Sequence, residues 1–274
     1  MKKRTNNGFF INYIWNRLYK QNKNCLIVIT GETGSGKSFS SLKLGELISD
    51  DFNINNVVFT AEAFTSLLKS GTLKEGSVVV WDEAGVGLNS RLFWSVLNQA
   101  IFFIMQTFRA DNIVCILTTP DISFIDVGIR KLMHFKVEVQ RIDYIKKQVI
   151  TKLFRIKPNP RTGKIYHKYL KNKKLRNAKL SRYRLGLPSE QLVKDYEEKK
   201  KVFNIGIKDQ MDRAVKSVSV FGKKKPTREE TQIYKLSKRG GSQKDIAKEY
   251  NINPRKISRI IDKCGKYYLD DKTA

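Results

Sequence analysis

Residues 25–38 read Cys-Leu-Ile-Val-Ile-Thr-Gly-Glu-Thr-Gly-Ser-Gly-Lys-Ser. An apolar run of strand type thus enters a glycine-rich turn, and a helical pattern follows from Phe39 to Ser49. Every fixed position of the P-loop pattern G-x-x-x-x-G-K-[ST] is present in the strand, loop and helix context that the motif requires. Glycine tolerates the positive φ that lets successive N–H groups face phosphate oxygens, and the helix adds its N-terminal dipole. We predict a phosphate-binding loop rather than a turn that merely ends a strand.

This loop predicts a site for ATP and Mg²⁺ in which individual residues have separate roles. Lys37 is expected to reach the β- and γ-phosphates as a point charge, and the Ser38 hydroxyl is expected to be a ligand of Mg²⁺. The predicted nucleotide-binding residues are Gly31, Glu32, Thr33, Gly34, Ser35, Gly36, Lys37, Ser38 and Phe39.

A second part of the site is predicted where the strand Ser77–Trp81 ends in Asp82-Glu83. We expect this strand to lie beside the P-loop strand, with Asp82 orienting the water shell of Mg²⁺ and Glu83 polarising the attacking water. Small-molecule kinases do not need the second acid, so the pair favours ATP hydrolysis. The alternative is that the two carboxylates only cap the next element.

A third part is predicted where the strand Ile113–Leu117 runs into two threonines. Thr119 is preferred over Thr118 as the residue that senses the γ-phosphate, with a simple strand cap as the alternative. An arginine from a neighbouring subunit commonly stabilises the charge that develops in phosphoryl transfer. The candidates are Arg91, Arg109 and Arg130, and a surface or structural role is the alternative for each.

The pattern of apolar residues predicts an α/β fold. Strands Leu26–Ile29, Val78–Trp81 and Ile113–Leu117 are continuous apolar runs, as expected for a parallel sheet covered by helices on both faces. After residue 130 the apolar residues alternate with polar ones, which predicts antiparallel hairpins. The helices expected include a long one near Ser90–Phe108 and one over Pro188–Phe203.

The chain is divided by composition into five predicted parts. They are an amphipathic N-terminal helix (1–22), a P-loop ATPase core (23–140), a basic extension of β-hairpins and a helix (141–204), a linker (205–226) and a helix-turn-helix domain (227–274). The N-terminal helix is expected to pack against the core, with membrane-surface or partner binding as the alternative.

Charge is the most unusual property of the composition. The formal net charge of the 274 residues is +27, which is self-repulsive unless a polyanion is nearby, so nucleic acid is the expected partner. No run approaches the roughly 18 apolar residues of a spanning helix, so no stable membrane insertion is expected. The three cysteines are scattered singly and no secretory signal is visible, which favours the cytoplasm.

The last part of the chain resembles a helix-turn-helix. Helices are predicted at Arg228–Lys238, Gln243–Tyr250 and Arg255–Cys264, with Asn251 in the left-handed turn position. The residues predicted to face the DNA major groove are Arg255, Lys256, Ser258 and Arg259. A small protein-interaction domain is the alternative.

Four segments together resemble the zonular occludens toxin-like ATPases of the FtsK/HerA-type branch of P-loop proteins. They are Trp81–Ala84, Thr107–Arg109, Thr118–Pro120 and Phe124–Arg130. The resemblance implies an additional-strand, RecA/FtsK-like sheet and a hexamer-forming ATPase with Arg109 or Arg130 near the subunit interface. Thr119 stands where this branch usually has glutamine. Phage members that export virions carry a membrane anchor. Because no such apolar segment is visible in this sequence, an export role is not expected.

The sequence thus predicts an ATP-hydrolysing, DNA-binding protein whose expected partners are DNA and further copies of the chain in a ring. Such a protein would be a motor or remodeller in replication, segregation, packaging or mobile-element transfer. The alternative is an ATP-gated, sequence-specific DNA-binding regulator with slow turnover. A small-molecule kinase is a further alternative, disfavoured by Glu83.

Overall fold

The computed structural model describes residues 8–83, 112–125, 127–172, 178–180, 182–221 and 226–270. The long helix predicted near Ser90–Phe108 lies outside these residues. The chain divides into two compact units, Met1–Asn204 and Ile205–Ala274.

The described residues of the first unit form one eight-stranded sheet. Seven strands follow the order β10-β6-β5-β1-β4-β3-β2, and β7 pairs with β6. The strands are β1 (Cys25–Thr30), β2 (Val57–Val58), β3 (Val78–Trp81), β4 (Val114–Thr119), β5 (Phe135–Asp143), β6 (Gln148–Pro158), β7 (Ile165–Tyr169) and β10 (Tyr183–Gly186). A separate two-stranded sheet pairs β8 (Lys171–Asn172) with β9 (Ala178–Lys179).

The sheet is parallel at one end and antiparallel at the other. Strands β5, β1, β4, β3 and β2 pair in parallel, whereas β6 pairs antiparallel with β5, β7 and β10. The predicted boundary between core and extension, after residue 140, falls inside β5 at an irregularity in its pairing between Val139 and Arg141. The antiparallel strands therefore continue the sheet of the core, because β5 pairs with β1 on one side and β6 on the other.

Helices cover both faces of this sheet, as the continuous apolar strands predicted. They are α1 (Phe9–Trp15), α2 (Lys37–Ile48), α3 (Ala61–Lys69), α4 (Val127–Leu132) and α5 (Glu190–Phe221). One buried apolar cluster includes α1 and α2, and the other includes α3 and α4. The strands supply alternate side chains to the two clusters: Val78, Val80, Val114 and Ile116 to the first, and Val79, Trp81, Cys115 and Leu117 to the second.

The N-terminal helix packs on the sheet. Phe10 and Ile14 are completely buried, and Phe10 makes an edge-to-face contact with Phe135 at 5.4 Å between ring centroids. A π-helical turn, Asn16–Lys20, follows α1 and buries Leu18. The apolar face of this segment is therefore part of the core.

Helix α5 is much longer than its sequence pattern predicted. The predicted end at Phe203 is wrong, since the helix continues to Phe221 through most of the predicted linker. The residues after 203 contain no proline until Pro226, and Gly206 alone costs only about 1 kcal/mol in a helix interior. Their Lys-rich composition is therefore compatible with a helix.

The second unit contains three further helices around a small apolar core. They are α6 (Arg228–Lys238), α7 (Gln243–Glu249) and α8 (Pro254–Asp270), so α8 is longer than predicted. Their buried residues are Ile233, Ile246, Ala247, Ile257, Ile260 and Cys264. Asn251, between α7 and α8, has the predicted left-handed backbone with φ of 51°.

Electrostatic contacts tie α8 to the start of α6. Thr227 and Glu230 form a reciprocal capping box, and Lys263 donates hydrogen bonds to both carboxylate oxygens of Glu230 at 2.6 and 2.8 Å. These contacts lower the pKa of Glu230, with the Lys263 hydrogen bond as the main cause.

Candidate nucleotide site

The glycine-rich loop joins β1 to α2 as predicted. Gly34 and Gly36 have left-handed φ angles of 77° and 95°, and Gly36 is the residue that caps the N-terminus of α2. A Cβ atom on Gly36 would lie 3.1 Å from a methyl group of Val149. The backbone angle therefore requires glycine at this position, and a side chain there would also have to displace the Val149 methyl group by a few tenths of an ångström.

Lys37 begins α2 and turns back over the loop. Its Nζ donates a hydrogen bond to the carbonyl oxygen of Glu32 at 2.8 Å. Burial lowers the pKa of Lys37, while attraction to Asp82 and Glu83 opposes that shift. The ammonium group therefore lies within electrostatic reach of both acids, as a site for a triphosphate requires.

The two acids follow β3 directly. Asp82 is only 1 % exposed, and its Oδ1 accepts a hydrogen bond of 2.6 Å from Thr118 Oγ1. The backbone N–H of Glu83 donates to the same Thr118 oxygen at 2.8 Å. Glu83 has a left-handed φ of 52°, an uncommon conformation for a residue other than glycine. Thr118 thus holds both residues of the acid pair.

The strand of the acid pair does not lie beside the P-loop strand, and that prediction was wrong. β4 pairs with β1 on one side and with β3 on the other. The acids nevertheless reach the loop because β1, β3 and β4 are parallel and end at the same edge of the sheet. The order of strands in a sheet is a tertiary property that the apolar runs alone do not contain.

Thr118, and not the preferred Thr119, contacts the acids. Successive side chains of a strand point to opposite faces of the sheet. Thr118 continues the face of Val114 and Ile116, which is also the face of α2 and Asp82. The Thr119 hydroxyl instead donates to the carbonyl oxygen of Asp121 at 3.1 Å.

Two residues of α5 that the sequence did not single out complete the site. Tyr196 donates a hydrogen bond to Asp82 Oδ2 at 2.5 Å. The nearby side chain of Ser38 opposes the rise in the pKa of the Tyr196 phenol. Lys200 Nζ lies 2.7 Å from Glu83 Oε1, 3.5 Å from Asp82 Oδ2 and 2.9 Å from the Tyr196 hydroxyl. The two side chains are one helical turn apart on the same face of α5.

Their environment shifts the pKa values of both residues of α5. Burial, followed by the charge of Asp82, raises the pKa of Tyr196. Burial alone would lower the pKa of Lys200. Hydrogen bonds with Glu83 and Tyr196 and the charge of Asp82 outweigh burial and raise this pKa. The Lys200 ammonium and the Tyr196 phenol therefore keep their protons at neutral pH.

No local pattern could have assigned these two residues to the site. Tyr196 lies on the buried face of α5, as helical periodicity suggests, but it contacts an acid 114 residues earlier in the chain. Phe39, predicted to contact the nucleotide, packs against Tyr196 with ring centroids 6.3 Å apart. Phe39 thus supports the residue that contacts the acids.

The candidate arginines are placed as follows. Arg130 lies in α4 and is partly buried. Hydrogen bonds from Ser123 are the main cause of the lowered pKa of Asp121, and the charge of Arg130 adds to the shift. Its Nε is buried without a hydrogen-bond partner among the described residues. Arg91 and Arg109 lie outside those residues.

The residues present fit a magnesium-bound nucleotide. A hydroxyl and a carboxylate, Ser38 and Asp82, are oxygen donors of the kind that Mg²⁺ prefers, and both lie beside the Tyr196 hydroxyl. The glycines at 34 and 36 open the loop to a phosphate, and Lys37 supplies a positive charge. No cluster of three or more His, Cys, Asp or Glu side chains suited to another metal occurs among the described residues.

A mostly parallel sheet flanked by helices, with a P-loop sequence at the edge of its first strand, is consistent with a P-loop NTPase-like fold. The family model described as zonular occludens toxin (Zot) matches residues 44–184, more than half of the chain. The chain therefore belongs to the Zot family, as the sequence resemblance predicted.

Solved structures include one relative of the same family. The crystal structure of the N-terminal domain of zonular occludens toxin from Neisseria meningitidis is 16% identical, with a TM-score of 0.33. The match covers 57% of this chain and 99% of that one. No curated protein matches this chain. Among the described residues, no helix has both the length and the apolar character needed to span a bilayer.

Proposed function

We propose that this protein hydrolyses ATP with Mg²⁺ and couples the reaction to DNA. The observation that carries the proposal is the convergence of Lys37, Ser38, Asp82 and Glu83 at one edge of the sheet. Asp82 accepts hydrogen bonds from Tyr196 and Thr118, and the Thr118 hydroxyl also accepts one from the backbone N–H of Glu83. A bare phosphate-binding loop does not require this second cluster of groups.

Each group has a defined part in the proposed reaction. The loop N–H groups and Lys37 bind the β- and γ-phosphates and offset their charge. Ser38 and Asp82 hold Mg²⁺, which would neutralise charge on the phosphate oxygens. Thr118 fixes Asp82 through its hydroxyl and Glu83 through the Glu83 backbone N–H. Glu83, the more exposed of the two acids, would orient the attacking water and accept its proton.

Two substitutions separate binding from hydrolysis. Lys37→Ala is expected to abolish nucleotide binding, because it removes the only loop cation that lies against the phosphate site in the described residues. Glu83→Gln is expected to keep binding and to trap the ATP-bound state. Binding of a fluorescent ATP analogue and release of phosphate measure the two effects, and an equal loss of binding in both variants would contradict the role given to Glu83.

The second unit is the proposed DNA-binding part. Arg255, Lys256 and Arg259 are exposed and Ser258 is partly exposed on α8, while Ile257 and Ile260 on the same helix face the core. Exposed cations beside a buried apolar stripe suit a helix-turn-helix whose second helix enters the major groove. The net charge of +27 supports a polyanionic partner.

The test of the coupled function compares ATP turnover with and without double-stranded DNA. A motor or remodeller is expected to be stimulated many-fold, and the full chain should lose that stimulation when Arg255 and Arg259 are changed to alanine. The residues are exposed, so the fold should tolerate the change. Unchanged turnover in the presence of saturating duplex would contradict the coupling.

A second function is favoured by one contact in the site. Lys200 holds Glu83 in an ion pair of 2.7 Å, which suits slow turnover and an ATP-gated, DNA-binding regulator. Such a regulator would bind DNA differently with ATP and with ADP but would show little stimulation of hydrolysis.

The proposal includes assembly into a ring. The family resemblance implies that this ring is a hexamer. Size measurement with and without a non-hydrolysable ATP analogue tests it. Arg109 and Arg130 remain the candidates to act on a neighbouring site. Mixing Glu83→Gln subunits with Arg130→Ala or Arg109→Ala subunits should restore turnover only if the arginine acts between subunits.

A further inference from the structure

Helix α5 brings a cation and a phenol onto the acid pair of the site. We propose that Tyr196 and Lys200, here called the α5 clamp, neutralise and restrain Asp82 and Glu83 without nucleotide and must give way to Mg²⁺ before Glu83 can act. The proposal rests on the proposed ATPase function and adds a regulatory element to the same site.

The first support is the state of Asp82. This carboxylate is 1 % exposed, and burying an unpaired charge is strongly unfavourable. Thr118 donates to one of its oxygens, while Tyr196 donates to the other and Lys200 lies 3.5 Å from it. A carboxylate offers about four lone-pair sites, so these three partners leave little capacity for the water shell of a metal ion.

The second support is the state of Glu83. Its Oε1 is 2.7 Å from Lys200 Nζ, within the range of a charge-assisted hydrogen bond. The carboxylate therefore points at the ammonium group rather than at a water molecule. Release of Lys200 would free Glu83 to orient a water molecule.

The third support is the position of Ser38. Ser38 lies near the Tyr196 hydroxyl that donates to Asp82, so the phenol is beside both residues proposed to hold Mg²⁺. Mg²⁺ at Asp82 and the Lys200 ammonium are like charges competing for the same carboxylate. Their binding should be mutually exclusive.

Helix α5 offers matched controls for the clamp. Lys201 is the next residue and is exposed. Lys199 is partly buried and donates to the carbonyl oxygens of Ile54 and Val57 at 3.0 and 2.6 Å, away from the acids. Lys201→Met controls for the loss of one charge, and Lys199→Met controls for the loss of a structural lysine of α5.

The experiment measures the Mg²⁺ concentration that gives half-maximal binding of a fluorescent ATP analogue to the full chain. Lys200→Met is expected to lower this concentration roughly tenfold, which corresponds to the loss of one competing charged hydrogen bond. Tyr196→Phe should lower it by a smaller factor, since it removes only the hydroxyl. Lys201→Met and Lys199→Met should leave it unchanged.

An unchanged or increased Mg²⁺ requirement in Lys200→Met would overturn the clamp, as would an equal shift in Lys199→Met. Thermal unfolding of each variant shows whether it is folded. If Lys200→Met does not fold, Tyr196→Phe still tests the clamp, because it keeps the packing of the aromatic ring. The readout is binding, so the clamp and the ATPase function fail separately. A wild-type chain that binds the analogue but never hydrolyses ATP would contradict only the proposed function.

Discussion

The stability of the first unit should fall between pH 7 and pH 5 because of His134. Its Nδ1 accepts a hydrogen bond of 2.9 Å from the N–H of Leu26 in β1, and the guanidinium of Arg17 contacts its Nε2. Burial, followed by the positive charge of Arg17, lowers the pKa of His134 from 6.5 to about 3. The native state therefore holds this imidazole neutral.

The sign and size of the effect follow from proton linkage. A lowered pKa in the folded state means that the unfolded chain binds the proton first as the pH falls below 6.5. The contribution of His134 to the free energy of unfolding is therefore largest above pH 6.5 and falls progressively toward pH 3. Between pH 7 and pH 5 the loss is about 2 kcal/mol for this one group.

The choice of pH window separates this effect from other groups. The carboxylates with lowered pKa values, Glu46, Asp121, Glu138 and Glu230, change stability mainly below pH 5. The chain has only one other histidine, His167 on β7, which is largely exposed. One side of its ring lies against Phe154, and this partial burial is the main cause of its lowered pKa. His167→Gln is therefore the matched control.

Urea unfolding followed by tryptophan fluorescence measures the prediction, because all three tryptophans of the chain lie in residues 1–204. His134→Asn keeps an acceptor for the Leu26 N–H but cannot be protonated, so it should remove about 2 kcal/mol of the pH dependence. The prediction is refuted if the pH dependence of the free energy of unfolding persists in His134→Asn and disappears in His167→Gln.

Three further predictions concern the site and the DNA partner. Thr118→Val should reduce ATP turnover at least tenfold, because its hydroxyl contacts both acids, whereas Thr119→Val should have a small effect; steady-state phosphate release compares them. Gly36→Ala should lose nucleotide binding and destabilise the fold by about 1–2 kcal/mol, as measured by analogue binding and urea unfolding, because it forces a side chain into φ of 95° beside Val149. DNA affinity should fall steeply with salt, by a logarithmic slope of roughly 0.9 per neutralised phosphate, and salt-independent binding in a titration would contradict phosphate contacts by the exposed cations of α8.

Several elements could be predicted because local sequence controls them. Helix α6 begins and ends where predicted, and the Thr227 hydroxyl caps its start. The Thr60 hydroxyl caps the start of α3 in the same way. The hairpins β5–β6 and β6–β7 follow from alternating residues and, in the second, from the turn before Ile165. The end of α5 was missed because composition assigned the residues after Phe203 to a linker, although no proline interrupts them before Pro226.

The sequence by itself determined the glycine-rich loop, the apolar strands and the acids at the end of β3, because each depends on residues close together in the chain. Only the tertiary structure decided that β4 lies between β1 and β3, which directs Thr118 rather than Thr119 to the acids. It alone also brought Tyr196 and Lys200 to Asp82 and Glu83. Contacts across more than 100 residues depend on how helices pack on the sheet, and no local spacing encodes that packing.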